Sequence, residues 1–263
     1  MVKLSTLFLG AFLFGTINTE RLLQTVATTS ALTPSLPPPP PTMAPGTFAL
    51  PVTNNNIING ANNTVGGDLN KIIGSASTVL GSGNRVYGNT NGVIGSLNTL
   101  VGSLNNVNGD LNQLDGNYNT LKGSVNIVKG DQNGVIGDYN NVKGSLNNLL
   151  GSGNNIDGLV NTIRGDLNTV SNGSFNVISG AQNTVKNGNY NGVIGSSNFV
   201  QGSGNVLSGN TNILAGNSNL VGGDKNQVYG STNGVVGNKN FLVGSSNAVI
   251  GSNNALNGNT NKV

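Results

Sequence analysis

The chain has 263 residues, of which 41 are glycine and 5% aromatic, with no cysteine and no histidine. So little bulky apolar material excludes a conventional thick core, and the missing cysteines and histidines exclude a disulfide framework, cysteine- or histidine-based zinc sites and the common nucleophilic triads. The formal charge of +3 comes from 12 basic and 9 acidic residues scattered along the chain, so no nucleic-acid partner is implied.

Residues 1–19 read as a secretory signal peptide. Lys3 precedes the apolar run Leu4-Ser-Thr-Leu-Phe-Leu-Gly-Ala-Phe-Leu-Phe-Gly, which is too short to span a bilayer comfortably. Cleavage near Thr16 to Thr19 leaves a secreted, extracellular chain with no membrane segment. Residues 20–52 form a Pro-rich disordered linker. All eight prolines lie between Pro34 and Pro51, and the run Pro37 to Pro41 favours a stiff polyproline II spacer. Within it, Arg21-Leu-Leu-Gln24 resembles the Arg-x-Leu-Arg host-entry motif of secreted oomycete effectors. The final arginine is missing and no Glu-Glu-Arg follows, so the segment is read as linker.

From residue 53 to 263 a single phrase, Asn-x-aliphatic-x-Gly-x-x, recurs in 30 copies. The asparagine fails once, at Ser77, while the aliphatic position is Val, Ile or Leu in every copy from Ile58 to Val263. One residue is inserted before each of Gly173 and Gly188. A fixed short period means a solenoid whose units bury their apolar sides against their neighbours. One aliphatic in seven, set among Gly and Asn, rules out a helical repeat. In a short strand Asn-x-Val-x-Gly, residues i and i+2 share a face, so Asn and Val point inward and the two x residues outward. Glycine, at φ > 0, turns the chain. Stacking then aligns aliphatics with aliphatics and asparagines with asparagines, and the amides can pair coil by coil.

The phrase Asn-Gly-Val-(Ile/Val)-Gly, at Asn91, Asn133, Asn191 and Asn233, fixes the size of a coil. Its copies lie six, eight and six heptads apart, and a two-heptad coil keeps all four on one side whereas a three-heptad coil does not. The expected fold is all-β: a two-sided β-solenoid of about 14 residues per coil and roughly 15 coils, with an aliphatic core and Asn ladders. The sequence ends at Val263 inside the thirtieth heptad. An open solenoid end offers end-to-end self-association as the alternative to a monomer.

No catalytic, metal or cofactor site is read from the chain. The only glutamate is Glu20, and Asp110, Asp131, Asp138 and Asp166 directly follow repeat glycines, where aspartate favours turns. Sequons at Asn62-Asn-Thr and Asn172-Gly-Ser, both at turns, are candidate glycosylation sites. Function therefore falls to the outward positions, which separate by heptad parity into two faces. One bears Lys71, Arg85, Asp115, Lys129, Lys143, Asp157 and Lys186, with bulky Phe199, Tyr229 and Phe241. The other has no charge between Val177 and Ile250, and such an extended neutral plane calls for a partner.

The phrase x-x-Asn-x-Val-x-Gly is similar to the repeat of the ice recrystallisation inhibition (antifreeze) proteins of cold-hardy grasses, over nearly four fifths of the chain. The resemblance implies a left-handed β-roll of two heptads per coil, inward Val and Asn ladders, and a flat side that binds ice. The family's ice-facing residues, rich in Thr, Ser and Val, are matched by Thr64, Thr78, Thr120, Thr162, Val177, Ser179, Val206 and Ser208. Ile194, Val236 and Ile250 extend the same face, whereas Gly92, Gly134, Gly192, Gly234, Lys122 and Arg164 depart from the pattern. The expected function is that of a secreted ice-binding protein, not an enzyme, that inhibits ice recrystallisation. The alternative is a secreted structural, adhesion or effector scaffold that contacts cell wall or host protein.

Overall fold

A computed structural model of the protein describes residues 55–263. The signal peptide and linker read from residues 1–52 lie outside the described residues. Every strand is three residues long and centred on the repeat aliphatic, beginning with β1 (Ile57–Asn59), β2 (Thr64–Gly66) and β3 (Lys71–Ile73). Chain contacts divide the described residues into two units, 55–171 and 172–263.

In the first unit the odd strands, β1 to β17 (Thr169–Ser171), pair in one parallel sheet, and the even strands, β2 to β16 (Thr162–Arg164), in another. Ile57 pairs with Lys71 and Thr64 with Thr78. This fourteen-residue register makes each coil two heptads, as the spacing of the Asn-Gly-Val phrases requires. The second unit runs from β18 (Val177–Ser179) to β29 (Ala255–Asn257) and has the same two-sheet arrangement. Its first pairs are offset by one more residue, Val177 with Gly192 and Thr184 with Phe199. Asn187, the inserted residue within both spans, absorbs the difference in its turn at φ 49, and Asn172, inserted in the preceding turn, has φ 52, a left-handed conformation that asparagine tolerates. These two turns stack: Phe175 lies on Tyr190 with centroids 4.9 Å apart and planes 9° apart.

The core is one side chain thick. The repeat aliphatics from Ile72 to Val249 are almost wholly buried, and each full burial contributes about 1.5–3 kcal/mol before the cost of ordering the chain. Beside them run the asparagines, also buried, none with an unsatisfied side-chain atom. Asn119 illustrates the ladder. Its backbone N–H and its Nδ2 both donate to Oδ1 of Asn105, at 2.9 and 3.1 Å, and Nδ2 also donates to the Gly130 carbonyl at 2.9 Å. Ser77, the one exception, keeps part of this: its Oγ accepts the Asn91 N–H at 3.2 Å.

The turns need glycine for two reasons. Gly109 has φ 140, and a Cβ there would lie 2.0 Å from the carbonyl oxygen of Gly123 in the next coil. Two residues later the chain becomes left-handed, at Leu111 with φ 58 and at Tyr139 with φ 58. That conformation costs a bulky L-residue about 1–2 kcal/mol, and stacking enforces it: the Leu111 N–H donates to the Ser96 carbonyl at 3.0 Å. Between these two residues, the side chain after the glycine forms an outer ladder. The Ser96 N–H donates to Oδ1 of Asp110 at 2.6 Å, and the Asp110 N–H to Oγ of Ser124 at 3.1 Å.

Candidate ligand-binding face

Because the inward positions are committed to aliphatics and asparagines, only the first and third residues of each strand, and the turns, are left to meet a ligand. In the first unit, strand pairing aligns the first residues of the even strands in one file, containing Thr64, Thr78, Gly92, Asn106, Thr120, Gly134, Asn148 and Thr162. Alongside runs the file of third residues, with Leu80, Ile94, Ile136 and Leu150 exposed at 43–50%. In the second unit the corresponding files contain Val177, Gly192, Val206, Leu220, Gly234 and Ala248, and Ser179, Ile194, Ser208, Gly222, Val236 and Ile250.

All the residues proposed from the sequence therefore project from even strands: Thr64, Thr78, Thr120 and Thr162 from one unit, and Val177, Ser179, Ile194, Val206, Ser208, Val236 and Ile250 from the other. They are not equally available. Thr64, Thr78, Val236 and Ile250 are exposed, whereas Thr120, Thr162, Val177, Ser179, Ile194 and Ser208 are half-buried between neighbouring coils. Val206 is only 8% exposed; its strand lies between those of Gly192 and Leu220, so it supports the face more than it touches a ligand. Leu80, Ile94, Ile136 and Leu150 fall on this face by heptad parity but outside the set of candidate contacts, which follows the Thr, Ser and Val positions of the resemblance; their exposure adds them to it.

The glycines of this face differ from those of the turns. A Cβ on Gly92 or Gly134 would meet only an asparagine oxygen, at 3.7 and 3.8 Å, and on Gly192 or Gly234 nothing within 4 Å. The gaps in the threonine file are thus not imposed by the backbone.

The odd face carries most of the charge. In the first unit strand pairing puts Asp115, Lys129, Lys143 and Asp157 in one file, with a single ion pair, Lys143 Nζ to Asp157 Oδ2 at 3.3 Å. Lys71 lies 5.6 Å from the Tyr87 ring centre, and in the second unit Lys186 lies 5.8 Å from that of Phe199. The even face has Lys122 and Arg164 in the first unit and no charge between Val177 and Ile250 in the second.

The aspartates that follow repeat glycines are occupied structurally. Asp110, Asp131, Asp138, Asp166 and Asp224 each accept a backbone N–H from the preceding coil at 2.6–2.7 Å. Among the described residues no group of three or more acidic side chains is placed to hold a metal ion. Both sequon asparagines lie exposed in left-handed turns, Asn62 at φ 58 and Asn172 at φ 52. The Nδ2 of Asn172 is 3.4 Å from Oδ1 of Asn187.

With these faces described, comparison with known families is informative. The family described as grass antifreeze beta roll matches residues 45–130 and 163–258. A comparison with curated proteins gave no match.

Proposed function

The chain belongs to the grass antifreeze beta-roll family, and from that premise we propose that it is a secreted protein that adsorbs to ice through its even face and inhibits recrystallisation. Membership supports an ice-binding role, and family and solenoid fold together point to a non-enzymatic protein. The observation that carries the face assignment is the segregation of charge. Ice offers no counter-ion, and a charged side chain holds its own hydration shell, so a surface that orders water into a lattice needs neutral, regularly spaced groups on a rigid support. The even face supplies methyls and hydroxyls in strand register, and the fold fixes them before contact, so little conformational entropy is lost on adsorption. Thr64 and Thr78, directly paired across neighbouring strands, are the most exposed such step.

Adsorption at many points would pin the ice front and stop large crystals growing at the expense of small ones. On a secreted chain, Asn62 and Asn172 are the acceptors for N-linked glycans, detectable as a mass loss on glycosidase treatment.

The test is an ice recrystallisation assay on the intact protein, with a heat-unfolded control. Thr78→Lys should weaken inhibition at least tenfold, while Thr99→Lys, at the equivalent position of the odd face, leaves it unchanged. Gly134→Thr, placed where a Cβ has room, should strengthen it. Equal losses at Thr78 and Thr99 would refute the face assignment, and coarsening indistinguishable from buffer would refute ice binding itself.

A further inference from the structure

In the 55–171 unit, the rim leading from each even strand to the next odd strand is apolar at its left-handed position. Leu69, Leu97, Leu111, Val125, Tyr139 and Leu167 occupy it, exposed at 36–69%. The two remaining coils have Gly83 and Gly153 there. A Cβ on either would sit 2.8 Å from Cδ2 of the leucine one coil on, Leu97 or Leu167, so these leucines lean across the gaps and level the strip. The fold does not ask for such residues. The same position in the 172–263 unit holds polar side chains such as Gln182, Lys225 and Lys239 at the same φ of 58, and left-handed backbone favours Gly or Asn over a bulky aliphatic. An apolar row kept where the backbone disfavours it, and absent from the companion unit, marks a contact surface.

We propose that this rim joins two copies of the chain in a symmetric dimer, with a two-fold axis parallel to the stack of coils. That rotation lays each coil against the same coil of the partner, so the apolar row meets itself in register. It also exchanges the even and odd sides of the rim. Asp68, on the even side, then faces Lys71 of the second copy, while Asp110 faces Gln113, Asp138 faces Asn141 and Asp166 faces Thr169. Every aspartate of the rim meets a cation or a hydrogen-bond donor. The antiparallel arrangement would instead set Asp68 against Asp166, a like-charge contact. The contact is isologous, as closed dimers require. Eight coils give a strip roughly 35 Å long and about 10 Å wide, so the two copies together bury roughly 700–1,000 Å², a contact at the low end of specific interfaces that makes a weak, reversible dimer. It leaves the even face of the 55–171 unit open in both copies and does not depend on what that face binds.

The experiment is sedimentation velocity on the intact protein across the micromolar range. The expected result is a weight-average mass rising from monomer to dimer, and a triple variant, Leu97→Asn with Leu111→Asn and Tyr139→Asn, whose dissociation constant is at least tenfold higher. Asparagine suits the left-handed turn, so this variant retains its fold by circular dichroism. The chain has no native cysteine, which allows the orientation to be read directly. Leu97→Cys alone should cross-link to itself on oxidation. Cross-linking seen only when Leu97→Cys is mixed with Tyr139→Cys would overturn the arrangement, because residues three coils apart are about 14 Å distant, beyond disulfide reach. A monomer at every concentration, or a triple variant that dimerises like the wild type, would overturn the interface.

Discussion

Asn126→Ala isolates what the amide ladder is worth. Asn126 Oδ1 accepts from the backbone N–H and Nδ2 of Asn140 at 2.9 and 3.0 Å, and its Nδ2 donates to Asn112 Oδ1 at 3.1 Å and to the Gly137 carbonyl at 2.8 Å. Alanine removes all four bonds, yet the Asn126 backbone N–H still serves Asn112 Oδ1 at 2.9 Å. The Asn140 backbone N–H and the Gly137 carbonyl are then left buried without partners, while Asn140 Nδ2 keeps its bond to the Gly151 carbonyl at 2.9 Å. At about 1–3 kcal/mol for each unsatisfied group, the expected loss is about 2–6 kcal/mol. Asn126→Ser is the internal control, because Ser77 already keeps the backbone acceptor at another rung; serine should cost about half as much as alanine. Urea unfolding followed by circular dichroism measures both, and hydrogen exchange at the Asn140 amide localises the effect. In a stack held by nearest-neighbour contacts, protection should fall first at the adjacent coils. An alanine cost below about 1 kcal/mol, or equal costs for serine and alanine, would show that the aliphatic column rather than the ladder holds the coils together.

Three further outcomes follow from the same geometry. Gly109→Ala, whose Cβ would sit 2.0 Å from the Gly123 carbonyl oxygen, should destabilise by more than about 4 kcal/mol, whereas Gly134→Ala should be nearly neutral in the same denaturation assay. Thr211→Asn, at an exposed left-handed position with φ 60, should gain about 0.5–1 kcal/mol, because asparagine tolerates that conformation and a β-branched residue does not. Asn187-Gly188 should deamidate faster than Asn133-Gly134 during incubation at mildly alkaline pH, as read by peptide mass spectrometry. Asn187 lies in an exposed turn, while Asn133 is buried in the ladder and the Gly134 N–H donates to the Asn147 carbonyl at 2.8 Å. Equal rates at the two sites would count against the ladder as the source of protection.

The sequence disclosed the architecture because its constraints are local and repeated. A buried Asn and a buried Val two residues apart require strand geometry, and the Asn-Gly-Val phrases were enough to set two heptads per coil. The division of outward residues into two faces followed from parity, and within each unit strand pairing aligns the even positions, Lys122 and Arg164 being the charged ones in the first. Two features were not legible. The left-handed residue two after each glycine leaves no compositional mark, since it is Leu at position 97, Gln at 182 and Lys at 225; stacking imposes the conformation, not the side chain. The unequal exposure of the face was also hidden. Val206 stands in an outward position but is buried, which depends on the strands paired with it on either side rather than on its own heptad.

The division of labour within the heptad explains how such a face can change while the fold persists. Four backbone and side-chain requirements, the aliphatic, the asparagine, the turn glycine and the acceptor after it, satisfy the coil without reference to either outward position of the strand. Asn148 and Thr162 are register partners on one face and Asn155 and Thr169 on the other, and the ladder beneath them is the same. Substitution at an outward site therefore alters what the surface presents at little cost in stability, provided that the new side chain fits between coils. The threonine file, interrupted at Gly92 and Gly134 although both have room for a side chain, is incomplete for reasons of surface chemistry or inheritance rather than folding. On the proposed ice-binding reading, length compensates: adsorption would sum over many weak, rigidly spaced contacts, so an incomplete but long file would hold a surface that a perfect but short one would release.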